Sequence, residues 1–168
     1  MGIYLKCEEI RFSCSYGYWD TIIKDILEAT FVYIECLILD DATTKEDKDE
    51  LKELIKIKNH DLDGNYFLSG DQCTVDSLIS WCRDTEYLNK LNYFKLGGLF
   101  ALCNQSRCSG YYTPGNSLDI CILLDTINPN LKNYGSYECI YEEYAFNDYH
   151  LYNVFEHSYT TKTKVTIW

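Results

Sequence analysis

The segment Leu99–Ile127, LFALCNQSRCSGYYTPGNSLDICILLDTI, constrains the fold more than any other stretch of the chain. Two apolar runs, Leu99–Leu102 and Ile120–Ile127, stand either side of a polar stretch holding Gly110, Pro114 and Gly115. Glycine tolerates positive φ, and proline sets φ near the helical value at a first helical position, with Thr113 before it as an N-cap. The segment therefore predicts helix, tight turn and buried helix: two long apolar rods bent back on each other to seed the interior.

At 168 residues the chain has the length of one domain, 1–168, and can bury about 70% of its unfolded surface. Hydrophobic residues at 46% and charged residues at 24% describe a globular chain rather than a disordered one. Sixteen Tyr beside two Pro, with much Ile, Asn and Lys, is the composition that AT-rich coding produces, as in a large DNA virus. The net charge of −11, with no dense Lys/Arg cluster, argues against direct nucleic-acid binding, which needs a basic stripe to displace counterions. It fits solubility, or an acidic face that meets a basic partner or imitates nucleic acid.

Met1–Lys6 lacks the basic start and apolar block of a signal peptide, and Lys6 stands where a myristoylation motif needs Ser or Thr. The most apolar run, Phe31–Leu39, is too short to cross a bilayer and carries Glu35. Nine Cys without a regular rhythm then read as reduced, buried thiols in a cytoplasmic protein with no membrane contact.

Along the chain, Ile3–Ser13 alternates as a half-buried strand, with the pattern resuming at Ile10 after Glu8-Glu9. A turn at Ser13–Gly17 leads into a helix from about Tyr18. Its inward stripe is Ile22, Ile26, Ala29 and Tyr33, with Lys24, Asp25 and Glu28 opposite. The β-branched run Phe31–Ile34 leaves room for a break or a strand. Thr43–Glu46 fits a capping box, followed by Leu51, Leu54, Ile55 and Lys58 at helical spacing. Asn59–Gln72 is loop-like, Thr74–Leu91 helical, and Asn128-Pro129-Asn130 a helix stop. Tyr134, Tyr137, Tyr141 and Tyr144 fall on one helical face, and Thr161–Trp168 alternates as a strand pairing beside the N-terminal one.

Few motifs carry chemistry. Asn59, Asp61, Asp63 and Asn65, with Gly64, match the front half of a calcium loop, but Gly70 stands where the bidentate Glu belongs, so an Asx-rich turn is the simpler reading. Cys103 and Cys108 are five apart, Cys7 and Cys14 seven, Cys73 and Cys82 nine, and no C-x-x-C occurs, so there is no zinc signature. A catalytic Cys with His150 or His157 is supported by composition alone. Nucleotide, hydrolase-elbow and metalloprotease motifs are absent. The adjacent pairs Glu142-Glu143 and Asp40-Asp41 point in different directions and suit no shared substrate.

The run Asn104–Pro114, NQSRCSGYYTP, resembles a turn found in a family of small uncharacterised proteins of bacteria and viruses. There it reads His-Ser-Asp-Cys-Asp-Gly, an aromatic or apolar pair, then Ser or Thr and Pro, between two apolar helices. Ser13–Tyr18 and the terminal Val165–Trp168 also resemble the ends of those chains. The resemblance implies a shared fold and no particular activity. Gln105, Arg107 and Ser109 replace the family's His and two Asp, so a cation-binding role for the turn does not carry over.

The sequence thus predicts one predominantly helical α+β domain, with a small sheet from the terminal strands packed with four to six helices. In function it predicts a non-catalytic protein without cofactor. That protein engages another protein through an acidic or tyrosine-rich surface, with Tyr137, Tyr141 and Tyr144 as candidates. The rivals are an acidic inhibitor mimicking nucleic acid, and an enzyme with a dispersed Cys/His/Asp site.

Overall fold

The computed structural model describes residues 2–62, 85–103, 110–142 and 149–168. It is a predominantly helical α+β fold, as the sequence predicts, and its small antiparallel sheet has four described strands where the sequence offers two. The N-terminal alternation becomes a hairpin, not one strand: β1 (Gly2–Cys7) pairs with β2 (Ile10–Ser15) in the register Cys7↔Ile10. The two residues between them, Glu8-Glu9, form the turn, with Glu8 at φ 54°. A two-residue loop needing positive φ at its first position usually advertises itself with glycine, so a glutamate there hides the hairpin.

Ser15 caps α1 (Tyr16–Leu39) by accepting the Tyr18 N–H at 3.2 Å. The helix runs straight through Phe31–Ile34, because Phe31 and Ile34 are buried and tertiary packing outweighs β-branched propensity. Asp25, expected on the solvated face, is only 9% exposed, and its Oδ2 accepts the Ser136 N–H at 3.1 Å. α2 (Lys45–Leu62) is capped by Thr44, one residue later than the predicted box, through Asp47 N–H to Thr44 Oγ1 at 3.1 Å. Its Leu51 and Leu54 are buried.

α3 (Thr85–Tyr93) ends in a Schellman motif: Leu96 N–H donates to Leu91 O and Lys95 N–H to Asn92 O, with Lys95 at φ 64°. The first predicted rod shrinks to α4 (Gly98–Cys103), about one and a half turns. Gly110 is no turn residue but opens β3 (Gly110–Tyr112) at φ 141°. The second rod is as expected at its start. Thr113 and Asn116 form a reciprocal capping box, with Pro114 in the first turn of α5 (Pro114–Leu131). It is not stopped at Pro129, which lies inside the helix. Proline removes one N–H and pushes away the carbonyl four residues back. The neighbouring carbonyl, of Leu124, accepts the Tyr141 hydroxyl at 2.5 Å, so a donor from outside the helix serves that stretch.

Among the described residues of the tyrosine face, Tyr137 and Tyr141 lie in the short helix α6 (Tyr137–Tyr141) and Tyr134 precedes it. α7 (Leu151–Thr161) and β4 (Val165–Ile167) complete the chain. β4 pairs antiparallel with β1 and with β3, giving the order β2-β1-β4-β3, so the terminal strands do meet. α5 is packed by α1, α4 and α7 and carries Ile120, Leu123, Leu124, Ile127 and Leu131 into the core.

Gly98 is where α4 meets α5: a Cβ there would lie 2.4 Å from the Asp119 carbonyl oxygen and 2.8 Å from Ile120 Cα. Both are backbone atoms, so neither can swing aside. Gly98→Ala should cost about 1–3 kcal/mol, read as a lower urea midpoint at unchanged m-value.

Candidate functional site

The side chains with chemical potential cluster where the β1–β2 turn meets α7. Glu8 Oε2 lies 2.8 Å from His157 Nε2, and Glu8 Oε1 accepts the Thr163 hydroxyl at 3.1 Å. An ionised carboxylate can only accept, so Nε2 carries the hydrogen. These two bonds hold the Glu8 carboxyl below its ordinary value of 4.5, the His157 bond contributing most. Beneath them runs a buried polar chain. Ser117 Oγ donates to Ser158 Oγ at 2.9 Å, Ser158 Oγ donates to the Thr163 carbonyl at 2.5 Å, and the Cys7 thiol donates to the same carbonyl at 3.7 Å.

This looks like the raw material of a nucleophilic centre, but its bonds run the wrong way. The Ser158 hydroxyl is spent on a backbone carbonyl and not on the imidazole, so no base is placed to activate it. Burial, then the charge of Glu8, pushes the Cys7 thiol up. Burial pushes Cys14 and Cys121 up to about 12 and Cys139 up to about 11. A thiol is reactive as the thiolate, so burial works against reactivity at all four. His150 caps α7, accepting the Asn153 N–H at 3.3 Å. Cys7, Cys14, Cys36, Cys121 and Cys139 stand as free thiols, and no group of metal-ligating side chains converges among the described residues.

The sequence-derived candidates are distributed as follows. Asn59 and Asp61 lie in the last turns of α2, while Asp63 and Asn65 fall outside the described residues. Tyr144 also falls outside them, as do Cys73, Cys82 and Cys108. Tyr137 and Tyr141 are half-buried and stacked in a ladder with Tyr152, at 5.0 and 5.6 Å between ring centroids. The Tyr141 and Tyr152 hydroxyls are occupied by Leu124 O and Asp125 Oδ2, and burial pushes both phenols up. The acidic residues of α2 are interleaved with lysines, and ion pairs join Lys52 to Asp49 and Lys90 to Glu50. That alternation is unlike an even string of phosphates. An open cleft of about 490 Å³ between α3 and α5 is bordered by Lys95, Asp119 and Asp125, and no His, Cys or Ser lines it among the described residues.

What the sequence did not signal is the outer face of the sheet. Ile3, Leu5, Cys7, Phe12, Val165 and Ile167 fill the inner face, so their neighbours point outward. Across all four strands one row reads Arg11–Lys6–Thr166–Tyr111, each residue the register partner of the next. The row beside it pairs Ser13 with Tyr4, whose carbonyl accepts the Trp168 N–H at 3.0 Å. Lys164 places its Nζ 5.0 Å from the Tyr111 ring centroid. Tyr111 is 52% and Trp168 67% exposed, and Lys6, Arg11 and Lys164 are exposed too. None of the chain's 26 Asp and Glu lies in any of the four strands. Comparison with protein-family models, curated proteins and solved structures finds no match to this chain.

Two outcomes follow from this geometry. Because the Glu8 carboxyl titrates lower in the folded state than its ordinary value, its contribution is full above pH 4.5 and is lost as pH falls through the lowered value. Glu8→Gln should flatten the acid limb of a Tm-versus-pH curve between pH 5 and 3, roughly the window that a carboxylate governs. Among the described cysteines Cys36 is exposed while Cys7, Cys121 and Cys139 are buried. Timed alkylation of the native protein, resolved by peptide mass, should therefore modify Cys36 well before those three.

Proposed function

We propose that the chain is a non-catalytic binding protein whose contact surface is the outer face of the β2-β1-β4-β3 sheet. The observation that carries this reading is the segregation of charge. In a chain of net −11, strands free of acidic residues present Lys6 and Arg11, with Lys164 beside them. Lys6 and Arg11 are direct cross-strand partners, and like charges directly opposite each other oppose pairing rather than support it. Tyr111 and Trp168 are exposed beside them. The tyrosine ladder of Tyr137, Tyr141 and Tyr152 and the mixed-charge helix α2 offer less, since their polar groups already serve one another. No helix among the described residues is long and apolar enough to cross a membrane.

The reading is tested on phosphocellulose at about 0.1 M salt, where the field of the whole chain is screened beyond about 10 Å. A chain of this net charge should pass through a cation exchanger if its charge acts as an average. Local action of the sheet face should instead retain the native protein, release it as salt rises, and lose retention in a Lys6→Gln, Lys164→Gln variant. Elution of the native protein with the excluded volume would sink the assignment.

A further inference from the structure

The occupant of the face is a matter of what its aromatic groups can recognise. We infer that it is single-stranded nucleic acid, read without strong sequence preference; this rests on the sheet face being the contact surface. Tyr4, Trp168 and Tyr111 stand on, or directly after, the neighbouring strands β1, β4 and β3, which are spaced about 4.8 Å apart. Their strand positions span about 10 Å across the outer face, room for two or three unstacked bases. The cations border these positions. Lys164 lies against Tyr111, and Lys6 and Arg11 continue the Tyr111 row across β1 and β2. Phosphates of a strand laid across the face would meet the ammonium groups while its bases lie on the rings.

An acidic peptide would satisfy the cations equally well, but it has no use for three aromatic residues on neighbouring strands. Double-stranded nucleic acid keeps its bases stacked and could use only the charges. The combination of aromatic residues and cations on one sheet face therefore selects an unpaired strand. The chain-wide charge limits the interaction without abolishing it, because at physiological salt a field is screened within about 8 Å. Only two or three phosphates are neutralised, so the salt dependence should be shallow, with a slope of about −2 in log K against log salt. The Trp168 indole N–H donates to Thr166 Oγ1 at 3.3 Å, which fixes the ring on the sheet before any ligand arrives.

The experiment is fluorescence anisotropy with labelled oligothymidylate and oligouridylate of about ten nucleotides, titrated with the full chain at about 0.15 M salt and then across a salt series. The matching duplex and an oligoglutamate peptide serve as competitors. The expected result is that single strands bind and neither competitor displaces them efficiently. Trp168→Ala and Tyr111→Ala should each weaken binding by at least about fivefold, the effect of losing one stacked base. Both side chains are exposed, and unchanged Tm and near-ultraviolet circular dichroism establish that the variants are folded. Lys6→Gln should reduce the salt slope by about 0.7. Displacement by oligoglutamate or duplex at equal charge, or alanine variants that bind like the native chain, would overturn the nucleic-acid assignment and leave the basic face standing. Failure of both oligonucleotides to bind a protein that phosphocellulose retains overturns it in the same way. Failure of both oligonucleotides together with loss of that retention removes the face as well.

Discussion

Burial of the helix Pro114–Leu131 is the constraint on which the other packing decisions turn. Its apolar residues Ile120, Leu123, Leu124, Ile127 and Leu131 fall on one broad stripe, with Leu118 and Ile122 left exposed on the other side, so it needs apolar neighbours all along that stripe. α1, α4 and α7 supply the surroundings. The close approach of α4 depends on one missing methyl group, at Gly98. Pro129 lies on the exposed side of this helix, in its last turn, where the packed stripe is not disturbed. The turn it weakens is held from outside, by the Tyr141 hydroxyl on Leu124 and the Tyr152 hydroxyl on the Asp125 side chain.

Joining this helix to the sheet falls to a line of polar groups. Ser117 on α5, Ser158 on α7, the Thr163 carbonyl and the Cys7 thiol on β1 form one hydrogen-bonded series through a dry region. In such surroundings an unpaired hydroxyl is costly, so the series tolerates few alternative arrangements and sets how α7 sits against both neighbours. Glu8 and His157 close the same corner from outside. These residues could suggest catalysis by type, but their geometry makes them a joint. Each donor is already committed to an acceptor within the fold. Two left-handed residues, Glu8 and Lys162, flank this joint, and both cost backbone energy that the surrounding bonds must offset.

Much of the local structure could be read from the residues. Thr113 and Pro114 announced the start of α5, because the hydroxyl that satisfies a free N–H and the ring that fixes φ act within one turn. Val165 and Ile167 announced β4 through alternation, and Ile22, Ile26 and Ala29 announced the buried stripe of α1. The misreadings share a cause. Pro129 and Phe31–Ile34 looked like ends of helices because local propensity disfavours them, and packing with distant segments outweighed that preference. Asp25 looked solvated because its partner, the Ser136 N–H, is more than a hundred residues away. The Glu8-Glu9 turn was obscured because a residue type that rarely takes positive φ is held there by His157 and Thr163.

The candidate surface follows the same division. Composition determined that the chain is globular and strongly acidic, and alternation determined that Lys6, Lys164 and Thr166 lie opposite apolar neighbours on their strands. Nothing in the order of residues places Lys6, Arg11, Tyr111, Lys164 and Trp168 together, since they come from both ends and the middle of the chain. Strand pairing did that, because β4 inserts between β1 and β3 and brings their outward residues into shared rows. Capping and periodicity act over a few residues and are written locally. The face exists only through contacts between segments far apart in sequence, and for that reason the tertiary structure alone decided it.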